Sequence, residues 1–231
     1  MTARPVGSSP EAGRRRPLSR ERVLEAAMEL ADAGGIESVS MRKLGHALGV
    51  EAMSLYRHVA NKEDLIYGLL DLVDAEIEVP DGNGEWKSDV RRFAISAHDA
   101  MIRHRWACAL MLSTGPSRIR RARLTYMEGL LRTLRSAGFS PELTHHAYHA
   151  IESHIMGFTL WQVSISRHAA EIRKAIPMLF RQISDEEFPY TVEHGRQHLA
   201  SNAPTGNEEF AFGLDLILDG IERMREGGPA T

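Results

Sequence analysis

The sequence predicts an all-α protein in which a small N-terminal three-helix unit precedes a larger helical body. Three observations indicate this architecture. Apolar residues recur at spacings of three and four along most of the chain, clusters of Gly, Pro, Ser and Asn interrupt them, and no segment alternates apolar and polar residues over the length of a strand. At 231 residues the chain also exceeds one ordinary domain of about 100–200 residues.

The first residues and the cysteine content indicate the protein's environment. Residues 1–17 are rich in Pro, Gly, Ser and Arg and lack the apolar core of a secretory signal, so they are predicted to be a flexible arm. No apolar run approaches the roughly 20 residues of a membrane span, so no membrane is expected as a partner. The single cysteine, Cys108, excludes an internal disulfide and suits a reducing cytoplasm. Its apolar neighbours favour a buried, inert thiol over a redox sensor.

Residues 18–64 are predicted to form three compact helices. The first runs from Leu18 to Gly35. Ser40 is a good N-cap for the second helix, and Gly49 follows its last apolar residue, where a helix end often needs a positive φ. The third helix begins near Glu51. Apolar residues at helical spacing would join the three helices in one core: Val23, Leu24, Ala27, Leu30, Ala31, Leu44, Ala47, Leu48, Leu55 and Val59.

The second and third helices have the pattern of a helix-turn-helix. In such a pair the second helix enters the major groove of DNA while the first crosses the phosphate backbone. With Leu55 and Val59 turned inward, the outer face carries polar, basic and small side chains. These are Arg42, Lys43, Glu51, Ala52, Met53, Ser54, Tyr56, Arg57, His58 and Lys62. An ordinary helix pair with a solvated polar face is the alternative interpretation.

The residue types on this face suggest separate roles at DNA. Arg42 can reach a base or a phosphate, since Arg pairs with guanine through two hydrogen bonds. Ala52 and Met53 offer apolar surface to thymine methyl groups. Hydroxyl, imidazole and ammonium groups commonly contact phosphates, and the residues of this kind are Ser54, Tyr56, His58 and Lys62.

Charge is distributed unevenly along the chain. The formal net charge is −3, but residues 1–62 contain ten Lys or Arg against seven Asp or Glu, a balance of +3 that leaves −6 on the remainder. A basic head on an acidic body concentrates the attraction for phosphates where the helix-turn-helix lies. Two interpretations of Arg14, Arg15 and Arg16 stay open: contact with the DNA backbone or minor groove, or a solvated arm.

The segment from Glu21 to Leu70 resembles the TetR family of transcriptional regulators, most clearly in its LYRHV run followed by Asn-Lys-Glu. The resemblance implies a homodimer whose two heads bind a palindromic operator, with half-sites about 34–36 Å apart. It implies operator contacts by Arg42, residues 51–54, Tyr56, Arg57, His58 and Lys62. Because Ala52, Met53 and Arg57 differ from the tetracycline repressor proper, we expect a different operator sequence.

Beyond the head, we predict a linker helix over residues 65–80 and a helical ligand-binding and dimerisation domain over residues 81–231. Turn residues separate helices predicted at 86–112, 118–137, 141–167 and 207–225, with an irregular segment around Pro189. The helices at 141–167 and 207–225 are expected to form a four-helix bundle with their mates across a two-fold axis. The predicted interface residues are His149, Ser153, Leu214, Ile217, Leu218 and Ile221; a purely intramolecular core is the alternative.

Residues 85–165 resemble the C-terminal domain of the tetracycline repressor branch, in which a His holds a magnesium–drug chelate. Met111 stands at the position of that His, Glu78 at that of a drug-contacting His, and Trp161 at that of an acidic residue. These differences argue against tetracycline and favour a hydrophobic or aromatic ligand. The candidate pocket residues, each of which could instead belong to the core, are Phe93, Met101, Trp106, Met111, Thr114, Met156, Phe158 and Trp161. No metal site or cofactor is predicted, although His145 and His149 stand one helical turn apart.

These patterns together predict a dimeric, sequence-specific DNA-binding regulator, most simply a repressor that a small molecule releases from its operator. A ligand-dependent activator and an architectural DNA-binding protein without an effector are the alternatives. An enzyme is not predicted, because the sequence contains no glycine-rich phosphate loop, nucleophile elbow or paired acid constellation.

Overall fold

The computed structural model describes residues 17–113, 120–200 and 206–227. Within these ranges every regular element is helical, which confirms the predicted all-α fold with an N-terminal helix-turn-helix unit and a larger helical domain. Residues 1–16 of the predicted arm and Thr114 lie outside the described ranges. The α-helices are α1 (Arg20–Gly34), α2 (Met41–Leu48), α3 (Ala52–Leu55), α4 (Lys62–Ala75), α5 (Trp86–Arg103), α6 (Ala107–Ser113), α7 (Arg121–Ser136), α8 (Pro141–Phe180), α9 (Pro189–Ala200) and α10 (Asn207–Gly227).

The head consists of α1 to α3 and the start of α4, packed around one apolar core. Leu44 and Leu55, from the two helices of the helix-turn-helix, are fully buried in it. The helix starts are set by side-chain caps: Ser19, Ser40 and Asn61 each accept a hydrogen bond from the backbone amide three residues further on. Such caps satisfy amides that have no partner within the helix, so they locate the first residue of α1, α2 and α4.

The turn between α2 and α3 depends on two glycines. Gly49 has φ 67° and ψ 37°, a left-handed conformation that is costly for other residues, and its amide closes α2. Gly45 lies within α2, where a Cβ atom would stand 2.8 Å from Val50 O and 3.1 Å from Ala52 N. The role of Gly49 follows from its place after a helix. The requirement at Gly45 becomes visible only when α3 packs across α2.

Two helix boundaries near the junction of head and body differ from the prediction. The linker helix ends at Ala75 instead of residue 80, and Glu76 forms its C-cap. The helix expected at 86–112 is broken at His104, whose φ of −107° and ψ of 64° are not helical. The side chain of His104 is held there by Asp32 of α1 and Glu76. Contacts with the head therefore accompany the break, and no local sequence pattern predicts it.

Two boundaries in the C-terminal half also differ. Helix α8 continues to Phe180, well past the predicted end at residue 167. A further helix, α9, begins at Pro189, where an irregular segment was expected. Proline suits the first position of a helix because its fixed φ is helical and the amide it lacks would have no partner there. Pro189 therefore opens a helix and does not interrupt one.

Helix α5 is central to the body and packs against α7, α8 and α10. Phe93 of α5, Tyr126 of α7 and Phe210 of α10 are fully buried in this core. Ion pairs at the rim tie α5 to α10, among them Lys87 Nζ to Asp219 Oδ1 at 2.7 Å. Within the described ranges, no helix combines the length and apolar character needed to cross a bilayer.

Cys108 is expected to be unreactive in the folded protein. Its side chain is fully buried on α6, its Sγ lies 3.5 Å from Met156 O, and burial raises the pKa of the thiol to about 11. Because the thiolate is the reactive species, a disulfide reagent at neutral pH should label the native protein far more slowly than the same protein unfolded in guanidinium. Rapid stoichiometric labelling of the native protein would contradict this placement.

Candidate nucleic-acid interface and effector domain

The predicted DNA-contacting residues lie on α2, on α3 with the turn that follows it, and at the first position of α4. Leu55 and Val59 point into the head core, as expected from their spacing. Met53 is 74% exposed and Tyr56 46% exposed, although both are large and apolar or aromatic. Arg42, Lys43, Glu51, Arg57 and Lys62 are also exposed, while Ala52, Ser54 and His58 are half-buried. The head thus presents a continuous set of small, polar and basic side chains beside a short helix.

Helix α3 is shorter than the predicted recognition helix. It ends at Leu55, and Tyr56, Arg57 and His58 continue as a hydrogen-bonded turn in which His58 N donates to Leu55 O at 2.9 Å. Ser54 Oγ donates to Glu51 O at 2.6 Å, so this hydroxyl is occupied within the protein's own helix. A phosphate contact by Ser54 would have to replace or share that bond.

Arg20 is a positioning residue that the sequence pattern did not reveal. Its guanidinium donates to both carboxylate oxygens of Asp64, at 2.8 and 3.0 Å, and to His58 O at 2.9 Å. Asp64 Oδ2 also accepts the amide of Ala60 at 3.0 Å. Arg20 therefore joins the start of α1 to the end of the recognition segment and the start of α4. The partners are 38 and 44 residues apart, so no local spacing could show the contact.

An ion pair within the body anchors the connecting helix α4. Asp74, which is 2% exposed, accepts a hydrogen bond of 2.6 Å from Arg120 at the start of α7. Burial raises the pKa of Asp74 to about 6, although Arg120 and Arg123 oppose this shift. The carboxylate is therefore still mostly ionised at neutral pH, and its other oxygen, Oδ1, has no hydrogen-bond partner. Neither residue was singled out by sequence spacing, since each is an ordinary charge on its own helix.

A second polar cluster links α7 to α8. Arg123 pairs with Glu152 and lies over the ring of Tyr126, with its Cζ 4.1 Å from the ring centroid. The Tyr126 hydroxyl donates to Glu152 at 2.9 Å. Burial and the charge of Glu152 raise the pKa of the neighbouring Tyr148. These groups place hydrogen-bonding side chains inside a body whose lining was predicted to be apolar.

The predicted ligand residues fall into different surroundings. Phe158 belongs to an aromatic cluster between α5, α8 and α10, in which His98 stacks on Phe210 with ring centroids 4.1 Å apart. Trp161 joins this cluster edge-on to Phe158 at 5.5 Å but is 47% exposed. Burial lowers the pKa of His98, whose Nδ1 lies 2.8 Å from Thr159 Oγ1. Apart from Trp106, the other described residues of the predicted pocket are either buried in the core or half-buried on α6: Phe93, Met101, Met156 and Met111.

Trp106 lies apart from these aromatic residues. Its indole nitrogen donates to Asp32 Oδ1 of the head at 2.8 Å, and its side chain is buried at the junction between head and body. A groove of about 300 Å³ lies beside this junction, and its lining is mostly charged. The lining residues are Glu76, Glu78, Arg92, Ile95, Ser96, Asp99 and Arg103.

The predicted dimer residues occupy two different environments. His149 and Ser153 are exposed on α8. Leu214, Leu218 and Ile221 are buried within the protomer and Ile217 is half-buried, because this stripe of α10 packs on α5 and α8. The periodicity identified an apolar stripe, but that stripe faces the protomer's own core. The outer face of α10 instead carries exposed apolar side chains: Phe212, Leu216 and Met224.

The histidines on α8 do not form a metal-ligand group in the described ranges. His145 and His149 contact each other edge to face with ring centroids 4.6 Å apart, and both are exposed. In the part of the chain that the structure describes, no three His, Cys, Asp or Glu side chains converge as metal ligands.

A head that presents basic and polar side chains from a helix-turn-helix, joined by one helix to a larger helical body, defines a DNA-binding transcriptional regulator. The chain belongs to the TetR family. Residues 23–67 match the family described as bacterial regulatory proteins, tetR family, and residues 79–225 match the tetracyclin repressor-like C-terminal domain. Related proteins are named as transcriptional regulators or repressors and not as enzymes.

Individual relatives extend over nearly the whole chain. The HTH-type transcriptional repressor DrrR1 of Streptomyces coeruleorubidus is 32% identical, with 94% of this chain and 82% of that protein covered. Tetracycline repressor protein class D of Escherichia coli is 31% identical over 89% of both chains. The structure of ActR from Streptomyces coelicolor in complex with actinorhodin superposes with a TM-score of 0.76 at 25% identity, covering 93% of this chain and 99% of ActR.

Proposed function

We propose that the protein is a dimeric repressor that binds a palindromic operator and is released by a hydrophobic or aromatic small molecule. The observation that carries the proposal is the exposed helix-turn-helix face, on which apolar, polar and basic side chains remain uncovered although the core beneath them is complete. A protein that acts on DNA works where the DNA is, so the bacterial cytoplasm is the proposed location.

The outer faces of α8 and α10 support a dimer. Phe212, Leu216 and Met224 are 68%, 57% and 64% exposed on α10, and Trp161 is exposed on the neighbouring α8. Apolar side chains clustered in this way usually mark an interaction surface. A second copy of the chain is the proposed occupant, since two-fold pairing of the body would bring two heads to one duplex. His149 and Ser153 would lie at this interface, whereas the buried stripe of α10 would support it from within.

The aromatic cluster around Phe158 supports a ligand with an apolar or aromatic skeleton. ActR, which shares the fold and 25% of its residues, has been solved in complex with actinorhodin. The tetracycline repressor relatives indicate a second ligand class, but Met111 is a poor ligand for magnesium, which prefers oxygen. Tyr126, Glu152 and Arg123 offer hydrogen bonds to polar groups on such a skeleton.

The proposal is tested by selecting random duplex DNA with the purified protein at about 0.15 M salt. A palindrome with half-sites one helical turn apart is expected. Actinorhodin and minocycline with magnesium can then be compared as probes for release of that operator, and release by the aromatic probe without metal is expected. Recovery of unselected DNA alone, or of single half-sites with a monomeric protein, would contradict the proposed operator and dimer.

Two substitutions should separate base contacts from phosphate contacts. Replacement of Arg42 with Ala is expected to weaken operator binding roughly ten-fold or more, because Arg can discriminate a base pair. Replacement of Lys62 with Ala is expected to weaken binding to all sequences and to lower the slope of affinity against salt by about one for each head, hence by about two for the dimer on a full operator. Arg132, exposed on α7 in the body, provides a matched control, and its replacement should change neither property. An unchanged salt slope in the Lys62 variant would exclude this residue as a phosphate contact.

A further inference from the structure

The turn between α5 and α6 meets the head at two places. His104 Nδ1 lies 2.8 Å from Asp32 Oδ1 in the last turn of α1, and His104 Nε2 lies 2.9 Å from Glu76 Oε1 at the end of α4. Trp106 Nε1 donates to the same Asp32 oxygen at 2.8 Å. Both turn residues are buried, at 8% and 7% exposure. The turn between α5 and α6 is therefore hydrogen-bonded both to α1 of the head and to the end of α4, the helix that connects head and body.

The stability of α1 does not explain why an aspartate stands at position 32. A carboxylate in the last turn of a helix lies at the negative end of the helix dipole, and Asp has a lower helix propensity than Ala. The last turn of α1 contains no basic residue that would offset this. The side chain of Asp32 is instead directed at His104 Nδ1 and at the indole N–H of Trp106 in the body. Its position is explained by the junction and not by the helix that carries it.

The Glu76 end of the junction is reinforced separately. Arg103 donates to Glu76 Oε2 at 2.6 and 3.1 Å. Partial burial would raise the pKa of Glu76, but the hydrogen bonds from Arg103 and His104 outweigh it and hold the pKa below its ordinary value. Loss of the Asp32 contacts would therefore leave the α4 contact in place, so the two connections can be tested independently.

We propose that Asp32, held by His104 and Trp106, is a positioning residue that fixes the orientation of the DNA-binding head on the body. This contact forms a second connection beside the continuous helix α4. It also places the first residues of α6 within reach of the head, since Ala107 follows Trp106 directly. The functional consequence rests on the proposed dimer: a head that is held in one orientation on the body fits one spacing of the two half-sites.

The orientation of the head can be measured within one protomer. In a Cys108→Ala background, spin labels at Glu37→Cys in the head and Glu128→Cys on α7 report the distance between head and body; both sites are exposed. Mixing the labelled protein with an excess of unlabelled protein leaves at most one labelled protomer in nearly every dimer. The measured distance then lies within one protomer. A narrow distance distribution is expected for the parent protein, and a broadened one for Asp32→Ala. Trp106→Phe, which removes only one donor, should broaden it less.

Glu29→Ala is the matched control, because Glu29 is exposed one turn earlier on α1. Its distribution should equal that of the parent. Melting temperatures gauge the structural cost: the gain in helix propensity offsets only part of the loss of an acceptor for the buried His104 and Trp106, so Asp32→Ala should melt a few degrees below the parent and stay folded at the temperature of the distance measurement. Distributions of equal width in Asp32→Ala and the parent would overturn the proposal.

Operator spacing provides a functional test. With operators that differ by one base pair between half-sites, Asp32→Ala should lose about five-fold of the parent's preference for the optimal spacing, equivalent to one net hydrogen bond, while affinity for an isolated half-site stays unchanged. An unchanged preference would overturn the proposal. If the parent itself shows no spacing preference, the proposed dimeric operator fails, and the distances within the protomer still decide the role of Asp32.

Discussion

Replacement of Gly45 with alanine is expected to abolish sequence-specific DNA binding. The added Cβ would lie 2.8 Å from Val50 O, 3.1 Å from Ala52 N and 3.4 Å from Ala52 Cα. All three are backbone atoms, which cannot rotate away as a side chain can. Helix α3 would therefore have to move away from α2, carrying the recognition segment out of register with the groove. Overpacking of this kind costs about 1–3 kcal/mol of stability, which exceeds the roughly 1 kcal/mol that alanine adds in helix propensity.

Binding to the selected operator and thermal unfolding of the head would measure both effects. Ala47, which its spacing assigned to the core of the head but which is exposed on the same helix, provides the control. Its replacement with glycine should lower the stability of α2 by about 1 kcal/mol without touching α3, and operator affinity should fall much less. If the Gly45 variant bound the operator as the parent does, the close approach of α2 and α3 would not control recognition.

Replacement of Asp74 with asparagine is expected to change how stability depends on pH. Burial raises the pKa of Asp74 from 3.8 to about 6, so the folded protein binds a proton at this site more tightly than the unfolded chain does. Stability contributed by this group is therefore present at low pH and is lost as pH rises between these two values. The loss amounts to about 3 kcal/mol and is complete at neutral pH.

The asparagine variant has no such titration. The free energy of unfolding of the parent minus that of the variant should thus fall by about 2 kcal/mol between about pH 4 and pH 7, which is most of the total. Taking this difference removes the contributions of all other titrating groups. Glu128, an exposed carboxylate on α7, is the control, and its replacement with glutamine should leave the pH profile parallel to the parent's. If the difference in free energy of unfolding between the parent and Asp74→Asn did not change with pH, the pKa of Asp74 would not be raised in the folded protein.

The Asp74→Asn substitution would also leave Arg120 facing a neutral group. At neutral pH the parent has an ionised pair across α4 and α7, with Arg120 Nη1 2.6 Å from Asp74 Oδ2. Removing one partner of a buried pair leaves the other charge without compensation. This lowers the free energy of unfolding of the variant by an amount that does not depend on pH, in addition to the pH-dependent change. The sign of the absolute stability change at pH 7 thus depends on both effects, whereas the slope with pH isolates the carboxylate.

The head was predictable in detail because its determinants are local. Ser40 as an N-cap, Gly49 with positive φ, and the inward spacing of Leu55 and Val59 each act within a few residues of one another. The same local rules separated the outward side chains that form the candidate DNA surface. They did not identify Arg20 or Gly45, because the partners of those residues belong to other helices.

The body was less predictable because periodicity finds apolar faces without finding what covers them. On α10, the stripe of Leu214 and Leu218 was predicted to meet a second protomer, but it packs on α5 and α8. Trp106 was predicted as a pocket residue, yet its indole nitrogen faces Asp32. An apolar side chain satisfies the same pattern in a core, a pocket or an interface, so only its neighbours distinguish these cases.

The sequence by itself determined the all-α class, the place of the helix-turn-helix, the uneven distribution of charge and the TetR family, because helix periodicity, caps and charge are properties of neighbouring residues. Tertiary structure alone decided which stripe of α10 is exposed, that Asp74 and Arg120 form a buried pair, and that one turn of the body holds both α1 and α4. These features join residues far apart in the chain. Their energies depend on burial and on distances of a few ångströms, which exist only once the helices have packed.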